Sequence, residues 1–261
     1  LQQFTTSEKV FSRERKLSFS RVVLLIAKLC KKTLSVELDK IFEDFDLKMT
    51  CTVSAFSQQR KKLQPVFYKA WNELLLLSYY YHYGKNIKRW KGFRLIAADG
   101  SNISLVNTPA LKEYFGGQSN QQCSYVQAKT FYCYDVLDAL TVSAWMEPYR
   151  TGELSMAYGN MDNLQNDMLM IYDRNFFNFK MMALHLWHKP EIKFVIRAKE
   201  TNKVAQAFIE SNAVSAIIDL PATPSALLEL PKSGYKVDEN TTIKIRLVRV
   251  ELEKSIEVLA T

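Results

Sequence analysis

The sequence predicts a mixed α/β protein: an all-helical segment, then a mixed β-sheet of βββαβαβ order, then a further β-rich segment. Three observations carry this expectation. Apolar residues recur at helical spacing through the first 83 positions, extended apolar runs replace that spacing after residue 92, and the excess positive charge is confined to the helical part.

Within residues 22–45, Val22, Val23, Leu25, Ile26 and Leu29 are followed by Leu34, Leu38, Ile41, Phe42 and Phe45. Three- and four-residue steps of this kind line one helix face and bury it against a neighbour. Thr33 offers a cap between two helices, and a polar break at 48–52 leads to Ser54, expected as the N-cap of a short third helix. That helix carries Phe56 together with a basic, amide-rich face of Ser57, Gln58, Gln59, Arg60, Lys61 and Lys62. Pro65 suits the first turn of a fourth helix, through Trp71 and Leu74 toward Tyr81. The expected organisation is a helical domain over 1–83 and a basic, glycine-bounded linker over 84–92.

Past the linker, residues 93–98 read as a strand ending at Asp99-Gly100-Ser101, and 103–106 and 126–145 supply further strands rich in β-branched and aromatic residues, an antiparallel start. Thr151 is expected to cap a helix with Leu154, Ala157, Met161 and Leu164 inward. Residues 168–172 form an unbroken apolar run that stops at Asp173, the pattern of a central strand covered on both faces. Phe179, Met182, Ala183, Leu186 and Trp187 mark an amphipathic helix, and 192–198 the next strand. This sets a sheet domain over 93–199. Residues 200–261, punctuated by Pro221, Pro224, Pro231 and Gly234, carry short strands at 242–250 and 255–260.

The composition, 48% hydrophobic and 24% charged, is that of a globular chain rather than a disordered or fibrous one. No run approaches the roughly 18 apolar residues of a membrane span, and the N-terminus lacks a basic-then-apolar leader, so a cytoplasmic protein without a membrane partner is expected. Cys30, Cys51, Cys123 and Cys133 form no Cys-x-x-Cys pair and read as reduced. Residues 1–92 hold 18 Lys and Arg against 8 Asp and Glu, a balance of +10, while 93–261 hold 17 against 19. A strongly basic segment beside a near-neutral remainder favours a nucleic-acid partner over a merely solvated face. Ser57, Gln58, Arg60, Lys61 and Lys62 have the donors that phosphates and base edges accept.

Two carboxylates, Asp99 and Asp173, stand 74 residues apart at the ends of two predicted core strands. In α/β sheets functional groups gather at the carboxyl ends of strands. Neighbouring carboxylates repel, and a hard divalent cation relieves the repulsion by taking oxygens from both. Two such ions about 4 Å apart can activate a water or a 3′-hydroxyl and stabilise the leaving oxygen of a phosphodiester. The plain alternative is that each Asp caps the turn after its strand. Arg174 stands beside Asp173, placed either to hold that acid ionised or to touch a phosphate. His185 and His188, with only His82 besides, fit packing or surface roles better than zinc, which takes four ligands in structural sites.

As a set these segments resemble bacterial insertion-sequence transposases of the DDE, cut-and-paste type. The resemblance covers nearly the full chain. Ser54 to Leu63 looks like the family's N-terminal DNA-binding segment, and Ala97-Ala98-Asp99-Gly100-Ser101 and Tyr172-Asp173-Arg174-Asn175-Phe176 like its first two catalytic strand ends, with Asn175 where the family usually has Gly. Phe194 to Lys199 resembles the strand that precedes a β-rich insertion. The resemblance implies an RNase H-like catalytic core, with 200–261 as an incomplete insertion. It implies Asp99 and Asp173 as catalytic metal ligands for two Mg²⁺ or Mn²⁺ ions, and contacts of Ser57, Gln58, Arg60, Lys61, Lys62 and Arg174 with double-stranded DNA at element ends and target. A homodimer on the DNA and a bacterial, nucleoid-associated location go with it. The family's third acid, a Glu in a Tyr-x2-Arg-x3-Glu-x6-Lys pattern, is not matched: Glu251, Glu253 and Glu257 lie in strand-like sequence without those partners. The expectation is that this Glu follows Thr261 and that the chain as given catalyses poorly. The alternative is a non-catalytic, transposase-derived DNA-binding protein or regulator. A generic metal-dependent nuclease would leave the basic helical segment unexplained.

Overall fold

Helix formation in the first part of the chain follows the apolar stripe. The computed structural model describes residues 2–12, 15–28, 32–44, 51–119, 124–253 and 255–261; Leu29, Cys30, Phe45, Cys123 and residues 48–50 of the polar break lie outside these. The chain divides into two units, Leu1–His82 and Tyr83–Thr261. In the first, α1 (Phe19–Ala27), α2 (Leu34–Asp44) and α3 (Val53–Arg60) converge on Leu17, Val22, Leu25, Leu38, Ile41, Phe42 and Phe56. Burying side chains of this size stabilises by about 1.5–3 kcal/mol each.

The cap of α3 differs from expectation. Thr52, not Ser54, accepts the backbone N–H of Ala55 at 3.1 Å, because the helix begins at Val53 and Ser54 already lies in its first turn. A bridge between Thr5 and Leu63 ties the N-terminal segment to the turn after α3, with Thr6 N donating to Lys62 O at 3.0 Å and Gln64 N to Phe4 O at 2.9 Å. Helix α4 (Val66–Tyr83) buries no residue fully: Leu77 is 68% and Tyr81 83% exposed. Its run of leucines and tyrosines forms a helix without specifying what covers it.

The second unit is organised by one mixed sheet. Its strands are β1 (Arg94–Leu105), β2 (Gly117–Ser119), β3 (Ser124–Asp135), β4 (Leu140–Pro148), β5 (Met168–Tyr172), β6 (Lys193–Arg197), β7 (Ser215–Pro221), β8 (Thr242–Glu251) and β9 (Ile256–Ala260). They run in the order β2-β3-β1-β5-β6-β9-β8-β7, with β4 also on β3. The pairs β1–β3 and β3–β4 are antiparallel, while β1–β5 and β5–β6 are parallel. Helices α5 (Pro109–Phe115), α6 (Glu153–Asn160), α7 (Phe179–Trp187), α8 (Lys203–Glu210) and α9 (Pro224–Glu229) connect them.

Three details depart from the sequence reading. β1 is a single strand through Gly100, Ser101 and Asn102 where two short ones were expected, because β3 pairs with it continuously from Ile96 to Leu105. Helix α6 is capped by Gly152 with no side-chain bond, rather than by Thr151. Residues 200–261 add to the same sheet through antiparallel pairing of β6 with β9. Their Ile243, Ile245, Leu247, Val258 and Ala260 share one core with Ile96, Phe131, Met170, Phe176 and Phe179. At the start of β1, buried Arg94 donates to Asp167 Oδ2 at 3.0 Å and Oδ1 at 2.6 Å and to Gln165 Oε1 at 2.5 Å. Among the described residues no helix is long and apolar enough to cross a membrane.

Candidate functional site

The parallel pairing of β1 with β5 positions the two candidate acids. Its last partners are Ala98 and Tyr172, both buried in the core, and Asp99 and Asp173 are the next residue on each strand. Side chains alternate across a strand, so both carboxylates leave on the face opposite Ala98 and Tyr172. Adjacent strands lie about 4.8 Å apart. Both acids are exposed. Each uses one oxygen locally: Asp99 Oδ1 accepts Gly100 N at 2.8 Å, and Asp173 Oδ1 accepts Asn175 N at 2.8 Å as the cap of a 3₁₀ turn over Arg174–Phe176. Asn175 keeps a negative φ, so a glycine is not required there.

The second oxygen of each acid has no hydrogen-bond partner among the described residues. Two such carboxylates suit a hard divalent cation, which takes one or two protein carboxylates and fills its shell with water and phosphate oxygens. Among the described residues no group of three or more His, Cys, Asp or Glu is gathered to hold a metal. Glu257 receives Arg197 at 2.5 Å on both oxygens, and Glu251 pairs with Arg249 at 3.2 Å. Glu253 is exposed in a bend.

Sequence reading missed the groups that pack on the Ala98–Gly100 face of β1. A cavity of about 460 Å³ is lined by Lys129, Tyr149, Arg150, Glu153 and Asn175, among others. Lys129 Nζ meets Glu153 Oε1 at 3.2 Å. The available signal was Gly100: a Cβ there would stand 2.5 Å from Glu153 Cγ and 2.7 Å from Cδ, so the residue after Asp99 must be Gly for Glu153 to pack as it does. Gly100→Ala is expected to swing the flexible Glu153 side chain off Lys129 at a cost of under about 1 kcal/mol, the scale of a partly exposed ion pair. Thermal unfolding measures it, and a drop of several degrees in the midpoint would show that Glu153 cannot yield.

The remaining candidates separate cleanly. His185 is buried against Phe194 and shares a 3.1 Å hydrogen bond with Tyr172; burial pushes its pKa down to about 4, so it is a neutral core residue. His188 lies 2.6 Å from Asp162. Burial pushes the Cys133 thiol up to about 11, against hydrogen bonds from Ser143 and Asn160, which makes it a core residue as well. Arg174 is exposed and has no ion-pair partner among the described residues.

In the helical unit, Phe56 anchors α3 in the core, which turns Gln58, Arg60 and Lys61 to solvent with Ser57 and Lys62 half-buried. Gln59 Oε1 accepts Lys62 Nζ at 3.2 Å. This exposed face is short, cationic and rich in amides, the chemistry of contact with phosphates and base edges.

No family model matches the chain, and no curated protein sequence does. Among solved structures, it is distantly similar to a piggyBac transposase in a synaptic complex with hairpin DNA, at 11% identity and a TM-score of 0.42 over 92% of this chain. It spans 50% of the length of that transposase chain.

Proposed function

We propose that this chain is the DNA-binding and partial catalytic portion of a DDE transposase with an RNase H-like sheet. The observation that carries the reading is the Ala98–Tyr172 register of two parallel neighbours, which sets Asp99, in the middle of β1, beside Asp173, the residue after the end of β5. With α5 and the three-residue β2 inserted between β1 and β3, the remaining order β1, β3, β4, α6, β5, α7, β6 follows the βββαβαβ expected from the sequence and supports the reading. In this reading Asp99 and Asp173 hold Mg²⁺ or Mn²⁺ through their free oxygens. The chemistry supplied by two ions bound there is neutralisation of charge at a scissile phosphate and a more acidic attacking water or 3′-hydroxyl. Gly100 N and Asn175 N fix the carboxylate rotamers, and Arg174 is free to meet a phosphate oxygen.

DNA engagement belongs to α3, with Ser57 and Gln58 at base edges and Arg60, Lys61 and Lys62 on phosphates. A homodimer on element-end DNA, in a bacterial cytoplasm, completes the proposal. A second reading, a transposase-derived DNA-binding protein without catalysis, draws on the absence of a third acid beside the pair among the described residues.

The test is duplex binding and Mg²⁺-dependent cutting of an element-end DNA by the full-length protein. Arg60→Ala with Lys61→Ala is expected to lower the slope of log K against log salt by about 2, at about 0.9 per phosphate contact. An unchanged slope would remove α3 from the interface. Binding with no cutting by the full-length protein favours the second reading, and failure to bind any duplex removes both.

A further inference from the structure

The helical unit contains a cationic concavity that the α3 face does not account for. It measures about 280 Å³ and is lined by Ser7, Lys9, Arg15, Gln59 and Lys62, with Leu17 among the apolar residues. Among the described residues that line it, three are cations and none is acidic. Lys9 and Arg15 are exposed, and no hydrogen bond or ion pair engages their side-chain nitrogens among the described residues. Lys62 is held from below by Gln59 Oε1.

The concavity is built into the fold. The Thr5–Leu63 bridge and its two flanking backbone hydrogen bonds fix the N-terminal segment against the end of α3, and Phe11 packs edge-on to Phe19 at 5.6 Å. Leu17, buried in the helical core, anchors the far wall. Lys9 and Arg15 are thereby brought to the same hollow as Lys62, although more than 45 residues separate them in sequence. Three positive charges lining one hollow repel one another, and an anion that enters the hollow relieves that repulsion. Oxygen-rich, doubly accepting anions match the fork of Arg15 and the point charges of the two lysines.

We infer that this hollow is a phosphate site: Lys9, Arg15 and Lys62 clamp one backbone phosphate of duplex DNA beside the α3 face. The inference rests on the DNA-binding reading of α3 and extends it to an N-terminal segment. Its role is to fix the register of α3 on the duplex without reading sequence, since backbone contacts position and base contacts specify.

The test compares the full chain with Lys9→Ala/Arg15→Ala on duplexes of two unrelated sequences between 50 and 200 mM salt, beside titration with inorganic phosphate. Both side chains are exposed, so an unchanged thermal midpoint is the control for folding. Loss of the one phosphate contact lowers the salt slope by about 0.9, which shrinks the loss of affinity across that fourfold salt range by about 3.5-fold, equally for both sequences. Lys9→Arg/Arg15→Lys is expected to restore most of it. If the parent protein binds duplex and the double variant keeps its slope, the phosphate site is wrong while the α3 reading stands. If the parent binds no duplex but binds inorganic phosphate, and the variant loses it, the site holds a phosphate from another source and the α3 reading falls. If neither ligand binds, both fall.

Discussion

Asp173→Asn is expected to abolish metal-dependent DNA cleavage by the full-length protein while leaving folding and duplex binding intact, and Asp99→Asn is expected to do the same. The asparagine separates two roles that alanine confuses. As a turn cap, Asp173 needs only an oxygen to accept Asn175 N, which Asn also supplies. As a metal ligand it needs the negative charge, which Asn lacks. The cap role therefore predicts near-normal cutting. The ligand role predicts a loss of at least about 10²–10³, the scale of removing one group that stabilises developing charge. Asp173→Ala adds about 1 kcal/mol of destabilisation from the lost cap. Because α3 lies in the other unit, the salt slope of binding should not move. Normal cleavage by either Asn variant would take that acid out of the reaction.

The largest stability effect is expected at Asp167. Arg94 is 2% exposed, and Asp167 accepts from its guanidinium on both carboxylate oxygens, with Oδ2 also accepting from Arg89 at 2.7 Å. Asp167→Ala takes both carboxylate acceptors from a buried guanidinium that also donates to Gln165 Oε1. Losing one partner of a buried pair costs about 3–5 kcal/mol; we expect the lower end, because Asp167 itself is about one-third exposed. For a domain of this size that is a drop of roughly 10 °C in midpoint. The acid dependence has a definite sign. Burial raises the Asp167 pKa, but hydrogen bonds from Arg94 and Arg89 outweigh it and hold the carboxyl below its usual value of 3.8. A group with a depressed folded pKa contributes stability above its unfolded pKa and loses it as pH falls through the folded one. Denaturant midpoints of parent and Asp167→Ala should therefore converge below about pH 4 and differ fully at neutral pH. A constant difference across that range would separate the stability effect from the carboxylate's charge.

What was legible in the sequence is what local pattern determines. β5 matches the reading to the residue, because an apolar run closed by Asp173 carries its own boundary, and α7 contains every residue that marked it, opened by Asn178, whose side chain accepts Met181 N at 2.9 Å. Asp173 after the end of β5 was visible for the same reason. Asp99 was expected at a strand end and stands instead in the middle of β1, since Gly100-Ser101-Asn102 reads as a turn until β3, some 30 residues later, supplies its hydrogen bonds. Glu153 meets Gly100 and Lys129 only through tertiary packing. The same limit applies to α4: hydrophobicity predicted its helix, but no local pattern says that Leu77 and Tyr81 stay exposed.

The place of β9 in the sheet has a consequence for how the chain reaches this state. Strand β6 has β5 on one side, and its other edge is closed only by β9, with Arg197 joined to Glu257 across 60 residues. During synthesis that edge waits for the chain to extend through two helices and two strands before its partner exists. Such distant pairing is slow to form, and an open edge next to a hydrophobic core is a template for the wrong strand. The bidentate Arg197–Glu257 pair marks the point where that exposure ends.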